Sequence, residues 1–181
     1  CDDVRKFVKM LDGYQLKPID IFAYGFPCND FSIVGESKGF QGEFGPLYTN
    51  GLNVLNKFKP AAFVAENVGG IQSANQGMAF FQILADLEQA GNCYDLSVNL
   101  YKAEEYGVPQ ARHRVIIVGI DSTLGKEFKV PAPTTPNKED KVTASQALSN
   151  IPPDASNNEF TNQSKTVIER LNLIKPGQNV W

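Results

Sequence analysis

The stretch IDIFAYGFPCNDFSIVG, residues 19–35, joins an apolar run to a polar loop that carries a cysteine. Its first part, residues 19–24, is dominated by isoleucine and aromatic side chains and lies between Pro18 and Gly25, which is typical of a buried β-strand. A cysteine that served only for packing would be expected inside the strand. Cys28 instead follows the strand, directly after a proline, so the stretch predicts a strand that presents this cysteine at its carboxyl end.

Strands and helices alternate along the chain up to Asp121. Apolar runs predict further strands at residues 61–68, 94–101 and 114–120. Apolar residues at helical spacing predict three helices, over residues 2–12, 46–58 and 77–91. This order predicts an α/β fold, in which a sheet carries helices on its faces.

After Asp121 the composition changes. Residues 130–141, VPAPTTPNKEDK, are rich in proline and polar residues and are expected to form a linker or a surface loop. Short helices are expected from Thr143 and over residues 164–174. The sequence therefore predicts a second, differently organised part of the chain.

The composition narrows the class of function. The chain has 181 residues, of which 42% are hydrophobic and 20% charged, enough for one core. A net charge of -3 provides no broad basic surface, so contacts with nucleic acid would be local. No apolar run approaches the roughly 20 residues that span a bilayer. Three scattered cysteines and one histidine form neither a disulfide framework nor a zinc-binding spacing, which predicts a reducing compartment and no metal.

Polar side chains stand where three of the predicted strands meet their loops. Ligands bind outside the carboxyl ends of strands in open α/β sheets, so these side chains are candidates for a site. They are Cys28 after the first strand, Glu66 and Asn67 at the end of the second, and Gln110, Arg112 and Arg114 in YGVPQARHRV before the last. Each also has a structural interpretation. Cys28 could be packed, Glu66 could be a solvated strand end, and the two arginines could share one exposed face of a strand.

Other chemistries of cysteine fit less well. A guanidinium near Cys28 would lower the pKa of its thiol and favour the reactive thiolate. A phosphatase loop requires arginine six positions after the cysteine, where this chain has Val34. A cysteine protease requires a histidine partner, and His113 is expected to point away from the arginine face, as a packed or surface residue. Cys93 has no supporting motif and is expected to be structural.

Three motifs in order resemble those of the DNA cytosine-C5 methyltransferases. GFPCNDFS, residues 25–32, resembles the nucleophile loop of that family, ENV, residues 66–68, its acidic motif, and QARHR, residues 110–114, its Gln-x-Arg-x-Arg motif. The resemblance covers residues 19–120 well, and residues 164–181 resemble the approach to a target recognition region. It implies an α/β fold that is part of a Rossmann-like methyltransferase sheet dependent on S-adenosylmethionine.

The resemblance also implies a division of the chain and roles for single residues. Residues 1–125 would be the catalytic half of the methyltransferase domain, and residues 126–181 a linker and the start of target recognition. Cys28 would add to C6 of a cytosine flipped out of double-stranded DNA, while Glu66 would contact N3 and the exocyclic amine. The resemblance further implies that Arg114 contacts O2 of the base and that Arg112 supports the loop and the thiolate. Pro27 and Leu47 would line the methyl-donor pocket. Contacts with DNA would be made by Ser32, Asn29 and Gln110.

The chain also departs from the family. Asn29 stands where most members have glutamine, and Phe44 where some carry arginine. No F-x-G-x-G donor-binding loop and none of the late motifs of the family occur in the chain, so we expect a fragment that lacks the N-terminal donor-binding portion. On this expectation the chain alone is inactive and needs missing N-terminal and C-terminal segments or a complementing chain.

Two alternative functions stay open on the sequence. A transfer-RNA cytosine-C5 methyltransferase belongs to a related branch, although residues 164–181 favour DNA. A catalytically silent subunit that binds DNA or stabilises a partner is the other, although such a subunit has no chemical need for the cysteine, the glutamate and the arginines together. The leading interpretation from the resemblance is a bacterial, cytoplasmic modification enzyme of a restriction-modification system, with no membrane partner.

Overall fold

A computed structural model of the chain describes residues 6, 10, 17–26, 47–152, 154–157, 161–175 and 177–178. The chain separates into two compact units, Cys1–Ala144 and Ser145–Trp181. The helix predicted over residues 2–12 lies largely outside the described residues, and the nucleophile loop that the resemblance implies lies outside them from Pro27 onward. None of the helices in the described part is long and apolar enough to cross a membrane.

A four-stranded sheet forms the centre of the first unit within the described residues. Its strands are β1 (Ile21–Gly25), β2 (Ala62–Val68), β3 (Tyr94–Lys102) and β4 (His113–Asp121), arranged in the order β1-β2-β4-β3. β1 and β2 run parallel, whereas β4 runs antiparallel to both β2 and β3. The beginning of β4 therefore lies beside the end of β2, with Arg114 opposite Val68. Gly25 at the end of β1 lies opposite Glu66.

Two helices of the first unit pack on one face of this sheet. They are α1 (Tyr48–Phe58) and α2 (Met78–Gln89). Burial alternates along β2, so that Phe63, Ala65 and Asn67 are buried while their neighbours are half-buried. The buried core joins the two helices to this face of the sheet; its members include Leu55, Ile71, Ile83, Leu87, Tyr94, Val115 and Ile117.

α1 approaches β1 closely because one of its buried positions is glycine. A Cβ atom at Gly51 would overlap the ring of Tyr24. The rings of Phe22 and Tyr24 stack at a centroid distance of 4.9 Å on the same side of β1. The absence of a side chain at Gly51 thus allows an aromatic strand to lie directly against the helix.

The second unit contains α4 (Lys165–Asn172), and α3 (Ala144–Leu148) leads into it. The side-chain oxygen of Ser164 accepts a hydrogen bond from the backbone N–H of Val167 at 3.4 Å, which caps the first turn of α4. No residue of α4 is buried. The sequence thus predicted both helices: α3 begins one residue after Thr143, and α4 spans residues 165–172 where residues 164–174 were predicted.

Candidate active site

An ion pair joins the end of β2 to the beginning of β4. Nε of Arg114 lies 2.6 Å from Oε1 of Glu66, and Nη1 of Arg114 donates a hydrogen bond to the carbonyl of His113 at 2.8 Å. Although Nε is this close, it makes no directed hydrogen bond among the described residues, so its contact with Glu66 is mainly electrostatic. The side chain of Glu66 is 46% exposed, whereas that of Arg114 is 23% exposed and its Nε is buried. A ligand could therefore reach the pair from the carboxylate side.

Gly25 leaves room for this carboxylate at the end of β1. A Cβ atom at this position would lie 3.2 Å from Oε2 of Glu66. A side chain on residue 25 would crowd the carboxylate or displace it. Glu66 consequently stands beside the point where the chain leaves β1 toward the Cys28 loop.

Asn67 fixes that same point from the buried face of the sheet. Its side chain is only 3% exposed, and its Nδ2 donates a hydrogen bond to the carbonyl of Phe26 at 3.1 Å. Its Oδ1 accepts a hydrogen bond from the backbone N–H of Val68 at 2.8 Å. The sequence marks Asn67 only as a polar strand end. Asn67 alternates with Phe63 and Ala65, which places it on the buried face of the strand. This alternation is the sequence signal that could have indicated a structural role, because buried polar groups need partners.

Arg112 and Gln110 are exposed and precede β4. The interpretation that Arg112 and Arg114 share one exposed face of a strand is wrong, because β4 begins at His113 and Arg114 is turned toward Glu66. The carbonyl of Arg112 accepts a hydrogen bond from the backbone N–H of Ala103 at 2.9 Å. The backbone of Arg112 is thus held, while its side chain is free to meet a ligand.

His113 lies between the two arginines and pairs with Glu104. The distance between Nε2 of His113 and Oε1 of Glu104 is 2.9 Å. This hydrogen bond is the largest cause that lowers the pKa of the Glu104 carboxyl below its ordinary value. The side chain of His113 is 47% exposed, as expected for a surface residue. Nothing in the sequence pattern singled out Glu104, because its partner lies nine positions away across a loop.

Four candidate residues lie outside the described part of the chain, and these are Pro27, Cys28, Asn29 and Ser32. Their predicted roles therefore stay predictions. Cys93, expected to be structural, is a free and exposed thiol at a positive φ of 72°.

Leu47 is the residue of the expected methyl-donor pocket that the structure describes. It is half-buried and directly precedes α1. The ring of the next residue, Tyr48, lies 6.3 Å from that of Phe26 at the exit of β1, so Leu47 belongs to the same end of the sheet. An apolar side chain at this edge fits the apolar lining of a cofactor pocket. No group of three or more His, Cys, Asp or Glu residues that could hold a metal occurs in the described ranges.

The α/β sheet with polar side chains at one of its edges is the arrangement expected of the methyltransferase domain that the sequence motifs resemble. The chain belongs to the C-5 cytosine-specific DNA methylase family, whose model matches residues 1–181. It is 56% identical to the type II methyltransferase M.BbvI of Brevibacillus brevis, over 100% of this chain and 48% of the relative. It is 44% identical to the type II methyltransferase M.NgoFVII of Neisseria gonorrhoeae, over 88% of this chain and 44% of the relative. The chain thus spans about half the length of these curated relatives.

Solved structures agree with this family. A prophage-encoded protein of E. coli, assigned as a DNA modification methyltransferase, superposes with a TM-score of 0.60 and 25% identity, over 84% of this chain and 41% of that chain. The Entamoeba histolytica methyltransferase EhMeth superposes with a TM-score of 0.51 at 16% identity, over 73% of this chain and 41% of that chain, which shows the fold alone. The predicted α/β fold class and the resemblance to cytosine-C5 methyltransferases are therefore confirmed.

Proposed function

We propose that this chain carries the catalytic residues of a DNA (cytosine-5)-methyltransferase that modifies double-stranded DNA in the cytoplasm of a bacterium. The observation that carries the proposal is the ion pair between Glu66 and Arg114 beside Gly25, at the sheet edge from which the Cys28 loop departs. The family model and the type II methyltransferases among the relatives support the reaction and its place in a restriction-modification system.

The chemistry begins with Cys28. Its thiolate adds to C6 of a cytosine extruded from the duplex, so that a bond forms between sulfur and C6 and the electrons of the C5–C6 double bond move toward N3. Glu66 supplies a proton at N3, which neutralises the developing charge and leaves C5 as an enamine carbon. S-adenosylmethionine supplies the methyl group for C5 when it is bound. Water then takes the C5 proton, the bond between sulfur and C6 breaks to release the Cys28 thiolate, and the N3 proton returns to Glu66, which restores the aromatic ring.

Arg114 is suited to hold the base because its present partner is exposed. When Glu66 turns to N3 and the exocyclic amine, the guanidinium of Arg114 is released toward O2 of the same ring. We assign Arg112, whose side chain is exposed before β4, to support of the loop and the thiolate. The ion pair between Glu66 and Arg114 would thus occupy the site until a base replaces it.

The other assignments follow the family resemblance. Leu47 and Pro27 would line part of the donor pocket, and the half-buried position of Leu47 supports this role. Ser32, Asn29 and Gln110 would contact DNA, and the exposure of Gln110 is compatible with that contact.

We also propose that activity requires parts of the methyltransferase that this chain does not span. The curated relatives are about twice as long, and residues 1–181 contain no F-x-G-x-G loop. No described strand pairs with the outer edge of β1, where Ile21 is 66% exposed. Parallel strands are normally covered on both faces, and an unpaired edge offers backbone N–H and C=O groups to a further strand, so β1 is suited to join elements from the missing segments or from a complementing chain. In this proposal residues 1–125 are the catalytic half and residues 126–181 lead to target recognition.

Trapping of a covalent adduct tests the proposal. The intact enzyme, incubated with S-adenosylmethionine and duplex DNA that contains 5-fluorocytosine, is expected to form a stable protein–DNA adduct. Cys28→Ser should abolish the adduct, whereas the matched control Cys93→Ser, at an exposed free thiol, should keep it. An adduct that survives Cys28→Ser would overturn the assignment. Adduct with fluorinated transfer RNA alone would favour the related RNA branch, and no adduct with either substrate would favour a silent subunit.

A further inference from the structure

A short strap crosses the turn that precedes the arginine segment. The strap is residues 131–135, and the turn is the 3₁₀ helix Ala103–Tyr106. The hydroxyl of Thr135 donates a hydrogen bond to the carbonyl of Glu104 at 2.9 Å and accepts one from the N–H of Gly107 at 3.0 Å. The backbone N–H of Thr135 also donates to the carbonyl of Glu105 at 2.9 Å. The hydroxyl of Thr135, as donor and as acceptor, and its backbone N–H therefore all form hydrogen bonds at the same turn.

The burial of the strap singles out the same residue. All of residues 123–140 are exposed except Thr135, which is half-buried. A second contact lies at the other end of the strap, where the hydroxyl of Tyr106 donates to the carbonyl of Pro131 at 3.0 Å. The segment that the sequence predicts as a linker is thus bonded to the 103–106 turn at two points.

The 103–106 turn is also bonded to the segment that carries Arg112 and Arg114. The backbone N–H of Ala103 donates to the carbonyl of Arg112 at 2.9 Å, and the carboxylate of Glu104 pairs with His113 at 2.9 Å. These two contacts hold Arg112 through its backbone carbonyl and His113 through its side chain. Any shift of the turn would therefore move the backbone from which Arg112 and Arg114 project.

We propose that Thr135 is a positioning residue for methyl transfer, which holds the 103–106 turn and, through Ala103 and Glu104, the segment of Arg112 and Arg114. The inference rests on the proposed function, because it assigns the arginines to the reacting base. Thr135 itself touches neither base nor donor. Its hydroxyl acts on the arginine geometry, so it should affect the chemical step more than the binding of DNA.

The test compares Thr135→Val with Thr134→Val in the intact enzyme. Both changes replace a hydroxyl by a methyl group, but Thr134 is exposed. Thr135→Val is expected to lower kcat about tenfold, because misplaced arginines slow the chemical step, with a change of less than about twofold in KM for DNA. Thr135→Ser should restore most of kcat, because it keeps the hydroxyl. Thr134→Val should match the parent enzyme.

A second readout does not depend on activity. Hydrogen exchange at the Gly107 amide, which donates to the Thr135 hydroxyl, should become faster in Thr135→Val and stay unchanged in Thr134→Val. Should Thr135→Val fail to fold, Tyr106→Phe removes only the contact with Pro131 and is expected to lower kcat by a smaller factor. The inference is wrong if the parent enzyme methylates DNA and neither Thr135→Val nor Tyr106→Phe lowers kcat. A parent enzyme that transfers no methyl group to DNA would instead overturn the proposed function, while the exchange data would still report on the strap.

Discussion

Glu66 and Asn67 are neighbours in sequence with opposite tasks. Successive side chains of a strand point to opposite faces, so Asn67 enters the core and Glu66 faces the site. Asn67 holds the exit of β1 through the carbonyl of Phe26, and Glu66 pairs with Arg114 across β2 and β4. The acidic motif thus joins a residue that holds the strand end with a residue that we propose acts on the base.

Replacement of Asn67 should affect both stability and turnover. Asn67→Ala leaves the buried carbonyl of Phe26 without its partner, which is expected to lower the free energy of unfolding by about 1–3 kcal/mol. Turnover of the intact enzyme should fall as well, because the base of the nucleophile loop loses its anchor. Denaturant unfolding and methyl-transfer kinetics measure the two effects. The control is Asn53→Ala at an exposed position of α1, and equal behaviour of the two variants would refute the role of Asn67.

The antiparallel direction of β4 brings Arg114 next to Glu66. The sequence predicts each strand to within one or two residues, because apolar runs such as that of β2 are long and clearly bounded. It does not predict that β4 lies between β2 and β3, since strand order depends on contacts between distant segments. The ion pair between Glu66 and Arg114 needs the register that sets Val68 opposite Arg114, and this register became visible only in the structure. The contact of Thr135 with the 103–106 turn also joins distant segments, and a proline-rich composition alone predicts only a linker.

The other end of β4 is held by a carboxylate. Asp121 is 6% exposed; its side chain accepts hydrogen bonds from the Thr123 hydroxyl at 2.7 Å, the Thr123 N–H at 2.9 Å and the Asn92 amide at 2.9 Å. The bond from the Thr123 hydroxyl is the largest cause that lowers the pKa of Asp121. Because the pKa of Asp121 is lower in the folded than in the unfolded state, its carboxylate stabilises the folded protein at pH values above the unfolded pKa, which is about 4 for aspartate. This stabilisation is lost as the pH falls through the folded pKa.

Asp121→Asn should therefore change the pH dependence of stability without changing the chemistry. The variant is expected to unfold at a lower temperature than the parent at pH 7, and the difference should narrow below about pH 4 as Asp121 of the parent protonates. Asp121 lies seven residues from Arg114 along β4, or about 23 Å, so kcat should be unchanged under conditions where the variant is folded. Thermal unfolding between pH 7 and pH 3 measures the effect, with Asp95→Asn at an exposed position of β3 as the control. A constant difference at all pH values would contradict the assignment.

The proposed reacting groups lie beside a strand, β1, whose outer edge no described strand covers. The Glu-Asn-Val and Gln-x-Arg-x-Arg motifs meet within the first unit, at the edge of a sheet of four strands in the described residues. β1 has a partner on one side only among those residues, although its sequence IFAYG carries no charge or proline to protect a free edge. The chemistry and the binding of the methyl donor are thus expected to depend on different parts of a longer protein.

A polypeptide of residues 1–181 alone should therefore bind S-adenosylmethionine far more weakly than the intact enzyme and should transfer no methyl group to DNA. The physical reason is that the F-x-G-x-G loop is absent from this sequence and that no strand in the described ranges pairs with the outer edge of β1. Isothermal calorimetry with the donor and a labelled methyl-transfer assay test both parts, with the intact enzyme as the control. Addition of a second polypeptide that contains the remaining parts of the methyltransferase should restore transfer. Ile21→Lys should weaken this restoration, because it sets a charge on a face of β1 that added segments would cover. Donor binding by residues 1–181 with a Kd of about 1 μM, comparable to that of the intact enzyme, would show that the described sheet needs no completion.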